Sequence, residues 1–210
     1  MRFTLPIALA LLLVETGGAQ QKGKAQAGAK AVAPPVAPPA ADWPMYARDL
    51  AGTRYSPLTQ IDAANAGRLT QAWTYGLEID APAAAKGKGG GPASETTPLV
   101  VNGVMYVTAA NRVVALDPET GREIWRYAVA GAAPSRRGVA YLPGDAGSAP
   151  RILFTAGRRL IALNAATGQL DPGFGKEGEV DMVVPYNSIP TIFRNVAIVG
   201  ANNEIGRAHV

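Results

Sequence analysis

The chain is 210 residues long, room for one or two domains, and 48% apolar, with no cysteine and one histidine. Those counts exclude disulfides, thiolate metal sites, the usual zinc centres and Ser-His catalysis. The formal charge of +4 traces mostly to Arg2, Lys22, Lys24 and Lys30; the rest is near neutral and gives no reason to expect a nucleic-acid partner.

Residues 1–19 combine Arg2, an apolar run at 5–14 and small residues at Gly17 and Ala19. This is the grammar of an export signal cleaved after Ala19, and the run is shorter than the roughly 20 residues a membrane span needs. Export would place the mature chain in the periplasm or outside the cell, which suits the lack of cysteine. Residues 20–41 are almost wholly Ala, Gln, Lys, Gly and Pro and close on APPVAPPA, a flexible or polyproline-like tether.

Residues 42–77 open with DWPMYARDLAGTRYSPLTQI, whose Gly, Pro and Asp content predicts loops, followed by a short strand with Trp73 and Tyr75. Trp73-Thr74-Tyr75 echoes Trp125-Arg126-Tyr127, which predicts the last strand of an earlier repeat unit. Residues 78–94 form a Gly/Ala/Lys loop without core-forming power.

From Glu95 the strand signals are dense. Segments 99–101 and 104–108 flank Asn102-Gly103, a strong two-residue hairpin signal. Segments 112–116 and 123–129 complete a four-stranded unit around the turn at 117–121. A longer loop is expected at 130–150, then strands at 152–155 and 160–163, and a third start at 189–200. No stretch beyond the tether shows helical periodicity. Residues 112–125, RVVALDPETGREIW, recur as RLIALNAATGQLDP at 159–172, with Ala115 and Ala162 lying 47 residues apart. Each copy reads as an alternating apolar strand, a tight polar turn and a further strand. Such a period predicts an all-β chain of propeller blades. Asp117 and Asn164 should cap their own turns, and Trp73 and Trp125 should dock one blade on the next. The second copy lacks a closing tryptophan, having Leu170 and Asp171 where that strand should begin.

Taken in order, DWPMYARDLAGTRYSPLTQI, ETTPLVVNGVMYV, the two A-L-x-x-x-T-G turns, RRGVAYLPGD and FGKEGEVDM resemble the N-terminal part of the pyrroloquinoline quinone (PQQ)-dependent dehydrogenases. The resemblance runs from residue 42 to about residue 200. It implies two to three blades of an eight-bladed propeller, and RGVAYLPGD, RLIALNAATG and FGKEGEVDM are most similar to the glucose dehydrogenase branch. It further implies PQQ on the propeller axis beside a divalent metal, usually Ca2+. A sugar or alcohol hydroxyl would be oxidised, with electrons leaving to a quinone or a cytochrome.

The resemblance also implies cofactor contacts for Glu95, Arg137, Thr155 and Ser188. Glu95 in ETTPLVV matches a cofactor-contacting glutamate; its plainer reading is a solvated loop acid. Arg137 matches an arginine that pairs with a PQQ carboxylate, for which the guanidinium fork is suited, with Arg136 as the neighbouring confound. Thr155 matches a hydroxyl donor, against an ordinary β-branched strand residue. Ser188, in Asn187-Ser188-Ile189-Pro190, matches a Thr-Ser-x-Pro stretch, against an ordinary turn serine.

Residues 131–134 lack the vicinal cysteines that the methanol and ethanol branches carry, which favours sugar or polyol oxidation. The family's catalytic aspartate and most metal ligands lie downstream of this chain, so no catalytic residue is expected within it, and a fragment of this extent should be inactive. Residues 205–210 depart from the family pattern and read like a translated sequencing adapter, so residues 42–204 are the expected partial propeller and neither Glu204 nor His209 is assigned a role. The alternative is a non-catalytic propeller scaffold or binding protein of the cell envelope, which shares the T-G turns.

Overall fold

The computed structural model describes residues 38–78 and 95–201. The expected export signal, the tether before residue 38, nearly all of the glycine-rich loop, Glu204 and the tail lie outside the described residues. Two four-stranded antiparallel meanders follow one another, β1 (Leu99–Val101), β2 (Val104–Ala109), β3 (Arg112–Leu116), β4 (Glu123–Ala128) and then β5 (Ala140–Leu142), β6 (Arg151–Ala156), β7 (Arg159–Asn164), β8 (Glu179–Asp181). A hairpin, β9 (Thr191–Phe193) and β10 (Val196–Ile198), begins a third unit. Among the described residues the only helical element is one 3-10 turn, Ala66–Arg68, so the chain is all-β as its periodicity predicts.

The repeats do not alternate as expected. β3 is buried at every position and β7 at its four central ones, because both faces of each blade are covered. Successive side chains therefore divide between two interfaces. Val113 and Ala115 join Ile152, Phe154, Ile161 and Leu163 between the two blades. Val114 and Leu116 pack with Val107 against Trp73, Tyr75 and Leu77, while Leu160 and Ala162 face Ala197 and Val199 of the third unit. Each such large side chain, fully buried, contributes roughly 1.5–3 kcal/mol.

The T-G turns act as blade fasteners. Asp117 accepts from the amides of Glu119 and Thr120 at 2.9 and 3.2 Å, and Asn164 from those of Ala166 and Thr167 at 2.9 and 3.1 Å. Each turn ends in a left-handed glycine, Gly121 (φ 69°) and Gly168 (φ 70°). A Cβ on either would lie 2.5 Å from an indole, that of Trp73 or of Trp125 respectively. Trp73 donates to the Pro118 carbonyl at 3.1 Å and Trp125 to the Ala165 carbonyl at 3.0 Å. The docking role read for both tryptophans is what the fold shows.

Three further expectations are corrected. The 73–77 segment pairs in no ladder; apart from one backbone bond, from the Ala110 amide to the Leu77 carbonyl at 2.9 Å, it is held by side chains. Tyr75 donates to Glu123 at 2.7 Å, and Arg112 donates to the Gly76 and Glu78 carbonyls at 2.9 and 2.7 Å. The loop expected at 130–150 contains β5, registered on β6 through Ala140↔Leu153. The strand expected near Leu170 reduces to a single bridge with Leu163, and β8 forms later, at Glu179–Asp181. The intervening loop carries buried Phe174 into the Leu160–Ala162 side of the blade and pins Arg151 to Asp171, so the sheet's fourth strand waits until the loop has closed.

Candidate functional site

Antiparallel meanders send the start of β1, the end of β4 and the start of β5 to one rim of the blades. β5 packs against β9, so the first strands of the second and third units lie side by side. Glu95, Arg137 and Ser188 each stand three or four residues before such a strand, at 99, 140 and 191. They are repeat-related positions, and the fold brings all three onto one open cavity of about 720 Å³.

One wall of this cavity is Glu95, Thr97 and Arg137, with Val139, Ala140 and Tyr141 below. The second wall is residues 186–192. The floor is the N-terminal segment 44–52, which is anchored beside β1 by the Trp43–Val100 bridge and by the Asn102 amide on the Asp42 carboxylate at 3.2 Å. Sequence reasoning assigned no site residue to this floor. Irregular backbone carries no periodic signal, and the only pointer was its place in the ordered resemblance.

The Arg137 guanidinium and the Glu95 carboxylate are 3.5 Å apart, and both side chains are more than half exposed toward the cavity, so the pair itself adds little stability. Arg136 is exposed beside it, and its carbonyl is engaged by Thr96. Thr155 stands apart from the other three. It is fully buried, and its hydroxyl donates to the Ser188 carbonyl at 3.0 Å, so the structure places it behind Ser188.

Two further ionisable groups line the cavity. Hydrogen bonds from the Thr53 hydroxyl and amide hold the Asp49 carboxyl below its ordinary range, so it is anionic at neutral pH. Burial, with the Asp42 charge adding to it, raises the Tyr141 phenol, which stays neutral. Among the described residues no group of three His, Cys, Asp or Glu is assembled that could hold a metal ion. The lining suits a planar, anionic organic ligand: one guanidinium fork, the hydroxyl-bearing residues Thr97 and Ser188, tyrosine rings and a cavity of ligand size.

Residues 43–206 match the family model described as glucose/ethanol/alcohol dehydrogenase, β-propeller domain, of the PQQ type. The glycerol dehydrogenase large subunit of Gluconobacter oxydans (strain 621H) is 36% identical over 80% of this chain and 25% of its own length. Quinoprotein glucose dehydrogenase A of Acinetobacter calcoaceticus is 32% identical over 69% of this chain and 21% of its own. The crystal structure of quinohemoprotein alcohol dehydrogenase from Comamonas testosteroni superposes with a TM-score of 0.55 at 34% identity, covering 72% of this chain and 22% of that one. The chain thus spans a quarter or less of the length of these relatives.

Proposed function

Because the chain belongs to the PQQ-type glucose/ethanol/alcohol dehydrogenase β-propeller family, we propose that it forms one side of the cofactor cage of an exported quinoprotein that oxidises sugar or alcohol hydroxyls. The observation that carries this reading is the convergence of Glu95, Arg137 and Ser188, from three successive units, on one cavity.

Bound there, PQQ supplies the two-electron redox chemistry. The chain's own residues bind and orient. Arg137 presents its planar fork to a cofactor carboxylate, and Glu95, 3.5 Å away, keeps that fork turned into the cavity. Ser188 lines the same space, on a segment fastened from behind by Thr155, and would offer its hydroxyl to the cofactor. Apolar and aromatic walls from Val139, Tyr141, Tyr186 and Ile189 exclude water from the ring faces. A divalent cation, Ca2+ by resemblance, would draw its ligands from outside the described residues. Turnover is assigned to the whole propeller rather than to these residues alone, so this chain by itself should be inactive. Electrons would leave to a quinone or a cytochrome, and the reaction would run in the periplasm or outside the cell.

Reconstitution with PQQ and Ca2+, followed by dye reduction with a panel of sugars, polyols and simple alcohols, tests the reading on the longest product of the locus. Reduction with sugars or polyols is expected. A product that takes up neither PQQ nor any hydroxyl substrate would leave a non-catalytic propeller as the better account.

A further inference from the structure

Arg137 lies in the turn before β5, and the hydroxyls that hold it come from both blades. Its peptide is fastened at each polar atom. The Arg137 amide donates to the Ser135 hydroxyl at 3.3 Å, and its carbonyl accepts from the Thr97 amide at 3.2 Å. The preceding carbonyl, that of Arg136, accepts from the Thr96 hydroxyl at 2.9 Å. The next residue, Gly138, has φ 123° and passes so close to Thr97 that a Cβ would lie 2.9 Å from its carbonyl oxygen.

Proton arithmetic orders the chain behind this clamp. The Thr96 hydroxyl has one proton and two carbonyls in reach, that of Arg136 at 2.9 Å and that of Thr108 at 3.5 Å. The shorter bond takes the proton, which leaves the Thr108 hydroxyl, 3.0 Å from that of Thr96, as the donor in their pair. On the other side the Ser135 amide donates to the Thr155 carbonyl at 2.8 Å. Thr108, Ser135 and Thr155 are each at most 2% exposed, so a partner lost from their side of the clamp is poorly replaced by solvent, whereas the Thr96 bond to the Arg136 carbonyl lies at the exposed end of the relay.

We infer that Thr108 and Thr96 are positioning residues for the cofactor-binding arginine, acting as a two-hydroxyl relay from blade 1 that fixes the backbone of a residue belonging to blade 2. Thr108 does not line the cavity, and its side chain bonds to Thr96 rather than to Arg137. Its hydroxyl orients that of Thr96, and that of Thr96 sets the peptide from which the guanidinium is launched. The inference rests on the reading of Arg137 as a carboxylate-binding residue.

The test is Thr108→Val, close to threonine in shape, with Thr108→Ser as the restoring variant, in the longest product of the locus. PQQ affinity is read by quenching of tryptophan fluorescence, and amide exchange at residues 135–138 is read without cofactor. Thr108→Val should weaken PQQ binding roughly fivefold to tenfold, the value of one buried hydrogen bond, and speed exchange at 135–138. Thr108→Ser should restore both. Unchanged affinity and exchange in Thr108→Val would overturn the relay. Should that variant fail to fold, Thr96→Val removes the relay's own donor to the Arg136 carbonyl and must give the same two changes; its binding and exchange like the parent's would overturn the relay. If the unsubstituted protein exchanges slowly at 135–138 yet takes up no PQQ, the clamp stands as structure, but the cofactor assignment falls and the positioning role falls with it.

Discussion

Replacing Gly168 by alanine should separate the two demands made on the T-G turn. The first is conformational: at φ 70° a residue with a Cβ costs roughly 1–2 kcal/mol. The second is contact. The new Cβ would lie 2.5 Å from the Trp125 ring, so the indole must back away. That displacement has the cost of an overpacked core, roughly 1–3 kcal/mol, and breaks the 3.0 Å bond to the Ala165 carbonyl, worth about 1 kcal/mol. Together Gly168→Ala should destabilise the chain by roughly 3–6 kcal/mol. Gly103 supplies the control, because its φ is 74° yet nothing lies within 4 Å of its would-be Cβ. Gly103→Ala should show only the conformational part, about 1–2 kcal/mol. Equilibrium urea unfolding measures both, and Trp125 fluorescence should shift only in Gly168→Ala. Equal losses in the two variants would refute the claim that indole docking on the glycine holds the blades together.

Other outcomes follow from single contacts. Asp117 has its pKa lowered chiefly by the Glu119 amide, so its capping contribution is present above the unfolded value of 3.8 and is lost as pH falls through the lower folded value. Asp117→Asn, which copies the cap that Asn164 already makes, should remove that acid-sensitive component, seen as a flatter melting temperature between pH 5 and pH 2. Thr155→Val leaves the Ser188 carbonyl without its donor and should cost about 1–2 kcal/mol in urea unfolding, with Thr155→Ser close to the parent. Tyr75→Phe removes the 2.7 Å bond to Glu123 and should cost about 1 kcal/mol in urea unfolding while leaving PQQ binding unchanged, because it lies on the far face of blade 1.

The parts of the fold legible in sequence are those encoded locally. Asn102-Gly103 specifies its hairpin, and Asp117 and Asn164 each bond within their own turn, so a short window contains the whole cause. β5 was not legible because Ala140–Leu142 is too short to show a period; it is a strand only because β6 lies beside it. β8 was misplaced because the chain between Gly168 and Glu179 turns inward to bury Phe174, a tertiary preference no periodic pattern announces. The site divides in the same way. Glu95, Arg137 and Ser188 were named by resemblance, and their shared cavity follows from their equivalent places before β1, β5 and β9. The floor at 44–52 and the Thr96–Thr108 relay depend on contacts between distant segments, and nothing in their residue types marked them out.

The central claim is that Arg137, held on the cavity, binds an anionic quinone cofactor. Titrating PQQ into the unsubstituted protein, Arg137→Gln and Arg136→Gln tests it most directly. Saturable binding should be lost or weakened at least tenfold in Arg137→Gln, the scale of a charge-assisted bidentate pair, and be nearly unchanged in Arg136→Gln. Equal binding by all three proteins, or loss in Arg136→Gln alone, would contradict the account.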